Sequence, residues 1–174
     1  MKKLIAILLA MVCVLSLCAC GGGAPETTGG QPKETTPSAG EEAYTCTYEG
    51  VKIRLGYDVG DVVSDLGEPK DRAVTESCAF GGNDIVYDYR SVKISANDEE
   101  GFERVYCVEL VDDMAQTEEG IKIGATAEAV TAAYGEPTTS NAGGVIYTKG
   151  GVELRFLMKD GKVTSIQYML EGVA

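Results

Sequence analysis

Histidine and tryptophan are absent from all 174 residues. Without histidine the chain lacks the commonest general base, the commonest metal ligand and the side chain that changes charge near neutral pH. Positive charge is scarce as well: 15 Lys and Arg stand against 27 Asp and Glu, for a net charge of −12. Such a surface repels phosphate backbones and anionic headgroups, which argues against nucleic acid as a partner and fits a solubilising role. Phe is rare, at three residues. The length and the 44% hydrophobic content suit one domain with appendages.

What is present begins at the N-terminus. Lys2 and Lys3 precede an apolar stretch from Leu4 to Leu17, which is too short for a membrane-spanning helix and ends without a charged stop. Leu17-Cys18-Ala19-Cys20 follows, then Gly21, Gly22 and Gly23. This resembles a bacterial lipobox, with small Ala19 before the cysteine and Leu17 three positions upstream. The resemblance implies a signal peptide over 1–19 and acylation of Cys20. Cys18 is the poorer acceptor because bulky Leu17 directly precedes it. Loss of Lys2 and Lys3 with the leader takes the net charge from −12 to −14. One acyl chain binds membranes marginally, at ~0.8 kcal/mol per buried CH₂, whereas several on one cysteine hold stably. Residues 20–43 then read as a tether of Gly, Thr, Pro, Glu and Ser, too apolar-poor to order itself. A coil of about 23 residues has an r.m.s. span on the order of 26 Å.

The rest, 44–174, carries an internal similarity at an offset of 68 positions. Leu55-Gly56 falls on Ile123-Gly124, Val62 on Val130, and Gly67-Glu68-Pro69 on Gly135-Glu136-Pro137. With small slips, Tyr87 then matches Tyr147 and Val105 matches Val163. Each copy opens with alternating apolar residues, Val51, Ile53 and Leu55 or Ile121 and Ile123, predicting a strand. Asp58 and Thr126 are N-cap residues for short helices whose apolar faces hold Val59, Val62 and Leu66, or Ala127, Val130 and Tyr134. Gly67 and Gly135 end them, and Pro69 and Pro137 prevent resumption. Strands are predicted over 73–80, 84–90, 92–97 and 104–111, then 145–149, 152–158 and 163–170. Asp160-Gly161 predicts a tight hairpin. The expectation is an α+β unit of two tandem repeats, 44–113 and 114–174, with helices on one face of an antiparallel sheet.

These motifs resemble the repeat of β-lactamase inhibitory proteins and of the SmpA/OmlA small lipoproteins. They are also similar to lipoproteins of unassigned function in gut Clostridia. The resemblance implies a BLIP-like fold in which two repeats make a concave, partner-gripping sheet. The clostridial likeness implies anchoring on the outer face of a Gram-positive membrane. No inhibitory or assembly residue carries over position by position.

Candidate chemistry is thin. Of Cys46, Cys78 and Cys107, any two could pair outside the membrane; Cys46 with Cys107 is the preferred disulfide, and buried free thiols are the alternative. A catalytic thiolate needs a base and no histidine exists to supply it, so no catalytic residue is assigned. Asp98-Glu99-Glu100 and Asp112-Asp113 lack calcium-loop spacing and read as solvated turns, leaving no metal or cofactor expected. Nine Tyr are the notable excess. Tyr is favoured at recognition surfaces, and Tyr87 with Tyr89 share one face of a predicted strand, which makes them the binding candidates. The competing reading has these rings finishing a small core. Three classes stay open, in this order: a non-catalytic binding lipoprotein engaging an envelope protein or peptide, an assembly accessory of a membrane complex, and a small-molecule receptor or enzyme.

Overall fold

The structure, a computed structural model, describes residues 42–173. The leader, Cys20 and nearly all of the tether lie outside the described residues. Element order is β1 (Cys46–Tyr48), β2 (Val51–Ile53), α1 (Val59–Leu66), β3 (Asp71–Glu76), β4 (Asn83–Asp88), β5 (Val92–Asn97) and β6 (Arg104–Leu110). Then come α2 (Ala127–Tyr134), β7 (Thr139–Asn141), β8 (Gly144–Lys149), β9 (Val152–Lys159) and β10 (Lys162–Leu170). β1 and β2 form a hairpin, and the other strands form one antiparallel sheet in the order β3-β4-β5-β6-β10-β9-β8-β7. Two meanders, β3–β6 and β7–β10, therefore meet at β6 against β10, where Val108 pairs with Tyr168.

This corrects the α+β expectation. Among the described residues strand accounts for 45% and helix for 12%, so the fold is mostly β. Two eight-residue helices do not make a helical layer, and the BLIP-like description of helices stacked on one sheet face does not hold. The physical reason is legible in the caps. Asp58 to Gly67 and Thr126 to Gly135 leave room for two helical turns only. Asp58 accepts from the Gly60 N–H at 2.7 Å and Thr126 from the Ala129 N–H at 3.3 Å, closing each N-terminus. Gly67 and Gly135 sit at φ 79° and 76° with ψ −168° and −149°. Only glycine adopts that region readily, so each helix stops there.

The same backbone bonds occur in each half. Gly56 N–H donates to the Val105 carbonyl at 2.7 Å and Gly124 N–H to the Val163 carbonyl at 2.8 Å. Val105 and Val163 return bonds to Tyr57 and Ala125, each at 2.9 Å. One difference is instructive: the expected strand at Ile121–Ile123 is irregular. β2 pairs with β1, but the residues before Ile121 turn back on themselves, the Thr117 N–H reaching the Ile121 carbonyl at 2.9 Å. A lone strand with no partner cannot satisfy its backbone.

One core serves the whole domain. It runs from Cys46 and Ile53 of the hairpin through Val59, Val62 and Val130 of the helices to Ile94, Val108, Leu154, Phe156 and Tyr168 of the sheet. Each large aliphatic chain buried there contributes ~1.5–3 kcal/mol. All of these sheet residues point to one face, and Cys46, Ile53, Val59, Val62 and Val130 join them in the same core. The opposite face carries neither hairpin nor helix among the described residues; at one end Phe80 packs on Tyr106 and Asn97, Arg104 and Cys107 are buried, and away from that end the face is open.

Candidate functional site

The structure places the two tyrosine candidates on the core side. Tyr87 and Tyr89 are 5% and 6% exposed, so neither offers a contact surface. Tyr87 donates to the Glu103 carboxylate and lies under the Arg72 guanidinium, 5.3 Å from the ring centroid. Tyr89 donates to the Gly67 carbonyl at 3.0 Å, and Tyr147 does the same for Gly135 at 3.1 Å. The amphipathic ring is used here as a core body whose hydroxyl closes a helix end. Tyr89 lies one residue beyond β4, where strand alternation no longer predicts its neighbours.

Cys46 and Cys107 are separate free thiols, as is Cys78. Cys46 belongs to the core beneath Tyr168, whereas Cys107 pairs with Met169, whose side chain points to the opposite sheet face. The sheet itself stands between the preferred disulfide partners. Burial pushes both thiols up to about 12, so neither is a nucleophile near neutral pH.

The two halves differ most at their hairpins. β7–β8 and β9–β10 turn through 142–143 and 160–161, with Asp160 and Gly161 at φ 52° and 74°. The corresponding loops of the first half, 77–82 and 98–103, are longer and bind each other. Asn97, 3% exposed, organises them. Its amide nitrogen reaches the carbonyls of Gly81 (3.0 Å) and Asn83 (3.1 Å) and Asp84 Oδ1 (3.1 Å), and its oxygen accepts from Glu99 N–H (3.0 Å). Asp98 accepts from the Asn83 backbone (2.6 Å) and side chain (2.9 Å), and these bonds hold its carboxyl below the usual range. Gly82, at φ 67°, lies against Asp98 where any Cβ would collide. Nothing in the sequence period marked Asn97 as buried, because it ends a strand beside a polar turn.

The open sheet face carries a mixed polar and apolar surface. Along it run Asp84, Asp88, Lys93, Glu109, Glu153 and Arg155, interleaved with half-buried Val86, Ile146 and Met169 and exposed Leu157. Of these two cations Arg155 pairs with Glu153 at 2.6 Å, and Lys93 lies 3.9 Å from Asp88, beyond hydrogen-bond distance. Glu109 accepts from Ser165 Oγ at 3.1 Å and Gln167 Nε2 at 3.3 Å. The face is therefore pre-ordered by its own hydrogen bonds, apolar in patches and negative in balance. Among the described residues no group of His, Cys, Asp or Glu converges as a metal site, and no helix is long and apolar enough to cross a membrane.

No family model matches the chain, and no curated protein matches it. Among solved structures it is similar to an extracellular protein containing an SCP domain from Bacillus anthracis str. Ames, with 13% identity and a TM-score of 0.41. That similarity covers 84% of this chain and 50% of the other, so this chain spans half of that protein's length.

Proposed function

We propose that this is an exported, lipid-anchored binding module, tethered through Cys20 at the extracytoplasmic face of a cell membrane and holding a protein or peptide partner without transforming it. The observation that carries the binding role is the uncovered face of the eight-stranded sheet. An open sheet face that interleaves apolar side chains with ordered polar ones suits a protein partner. Its charge selects the occupant: along it the acids Asp84, Asp88, Glu109 and Glu153 outnumber the bases, and Arg155 is held by Glu153, so a partner with a basic contact surface fits. The lipobox and tether supply the location. The −14 charge left after leader removal keeps the domain off anionic headgroups and in reach of such a partner.

Two variants test this reading separately. Cys20→Ala releases the protein from membranes if the anchor is right, and retention of that variant by membranes contradicts it. Ile146→Arg with Leu157→Arg on the open face leaves the melting temperature within a few degrees while abolishing co-purification of the partner captured by the wild type. Undiminished capture by a folded double variant removes the sheet face from the account.

A further inference from the structure

At the sheet end where β6 begins and β10 finishes lies a cavity of about 350 Å³. Phe80, Leu170 and Val173 give it apolar walls, and Gly151 and Gly172, at φ 78° and 85°, line it with bare backbone. Into this apolar space the chain places one guanidinium. The Arg104 side chain is 8% exposed, and its ion pair is a 3.7 Å contact from Nε to Glu100 Oε2. That separation is too long for a hydrogen bond. No other described residue supplies a hydrogen-bond acceptor to the guanidinium. Yet no fully buried polar side-chain atom lacks a partner among the described residues. The guanidinium nitrogens therefore keep their residual access through the cavity they line.

A guanidinium presents five donors in a planar fork, and leaving them unmatched in an apolar setting is costly. The Nε side faces Glu100, which leaves the Nη edge for a bidentate acceptor, the geometry of a carboxylate. We propose that this cavity binds the carboxylate of a compact, apolar monoacid, with the carboxylate on Arg104 and the hydrocarbon or aromatic body against Phe80, Leu170 and Val173. Phe80 is held for this by its other neighbour, Tyr106, at a centroid distance of 5.2 Å. The volume falls at the small end of the ~300–1,000 Å³ typical of ligand sites, so the ligand is small or is the end of a longer chain. Glu171 in the wall and the overall negative charge disfavour a second negative charge, which selects a monocarboxylate over a phosphate dianion. A free apolar acid and a peptide C-terminus share this chemistry.

Calorimetric titration of the full-length protein in neutral detergent distinguishes these sources. One pair of probes is 4-phenylbutyrate and its amide; the other is a short peptide ending in phenylalanine with a free or an amidated C-terminus. The expected result is one-to-one binding of at least one free carboxylate, at least tenfold tighter than its amide, and a loss of at least tenfold in Arg104→Gln. Whichever acid binds identifies the source. Binding of neither acid, equal binding of acid and amide, or unchanged affinity in Arg104→Gln overturns the proposal. The acid–amide comparison on the wild type decides the matter even where the variant fails to fold.

Discussion

Replacing Asn97 by Ala tests whether the two long loops of the first half are one built structure. Its amide nitrogen has two hydrogens and three acceptors, so one hydrogen is shared, while its oxygen holds the Glu99 N–H. Removing the side chain strips a donor from the Gly81 carbonyl and from Asp84, and an acceptor from Glu99. The Asn83 carbonyl retains the Asp98 N–H at 3.1 Å. Each lost bond contributes ~0.5–1.5 kcal/mol net, and water entering the vacated space recovers part of it, so a loss of about 2–3 kcal/mol is expected. For a domain of this size that lowers Tm by roughly 8–12 °C. Urea unfolding followed by far-UV circular dichroism reads it directly, with the m-value unchanged. Asn97→Asp should be worse at neutral pH, because a carboxylate then faces two carbonyls and Asp84. That deficit should shrink on acidification, as protonation restores one donor. A loss below about 0.5 kcal/mol for Asn97→Ala, or a pH-independent deficit for Asn97→Asp, refutes the reasoning.

Three further outcomes follow from the same geometry. Tyr89→Phe and Tyr147→Phe each remove a hydroxyl from a helix-ending carbonyl and should cost about 1 kcal/mol apiece, adding in the double variant because they share no partner; a coupling above about 0.5 kcal/mol in denaturant unfolding contradicts this. Asp98 has a folded-state pKa lowered from 3.8 by Asn83, so its stabilisation is complete above that value and disappears as pH falls through the lowered one. Asp98→Asn should therefore flatten the acid limb of the stability–pH curve, and an unchanged limb would count against the loop bonds. Iodoacetamide on the folded protein should label exposed Cys78 and spare Cys46 and Cys107 until denaturant is added. Peptide mapping that finds either buried thiol labelled, or the two joined, would contradict the sheet's position between them.

Much of the backbone was legible because it is encoded locally. The N-caps at Asp58 and Thr126, the stops at Gly67 and Gly135, and the Asp160-Gly161 hairpin each require a particular residue at one place. The strand at 92–97 falls where alternation predicts, and β6 and β9 differ from their expected bounds by a residue. The strands were largely legible, since seven of the eight in the sheet fall on expected segments; the fold class differs because the two helices, at eight residues each, are too short to form the layer that their caps suggested. Tyr87 and Tyr89 illustrate the limit on the site. Alternation within β4 sets the face of Tyr87 but does not say which face is covered, and here the face that Tyr87 shares with the core is the covered one. Arg104 was invisible for a related reason, since its cavity is assembled from Phe80 and from residues 151–173, which share no sequence pattern with it.

Site-specific photocrosslinking on intact cells tests the binding account most directly. A benzophenone side chain at position 86 or 146, on the open face, should give the same discrete adduct, and one at position 57 or 133, off that face, should give none. Adducts from 57 and 133 with none from 86 and 146, or no adduct from any position, would contradict a partner held on the uncovered sheet.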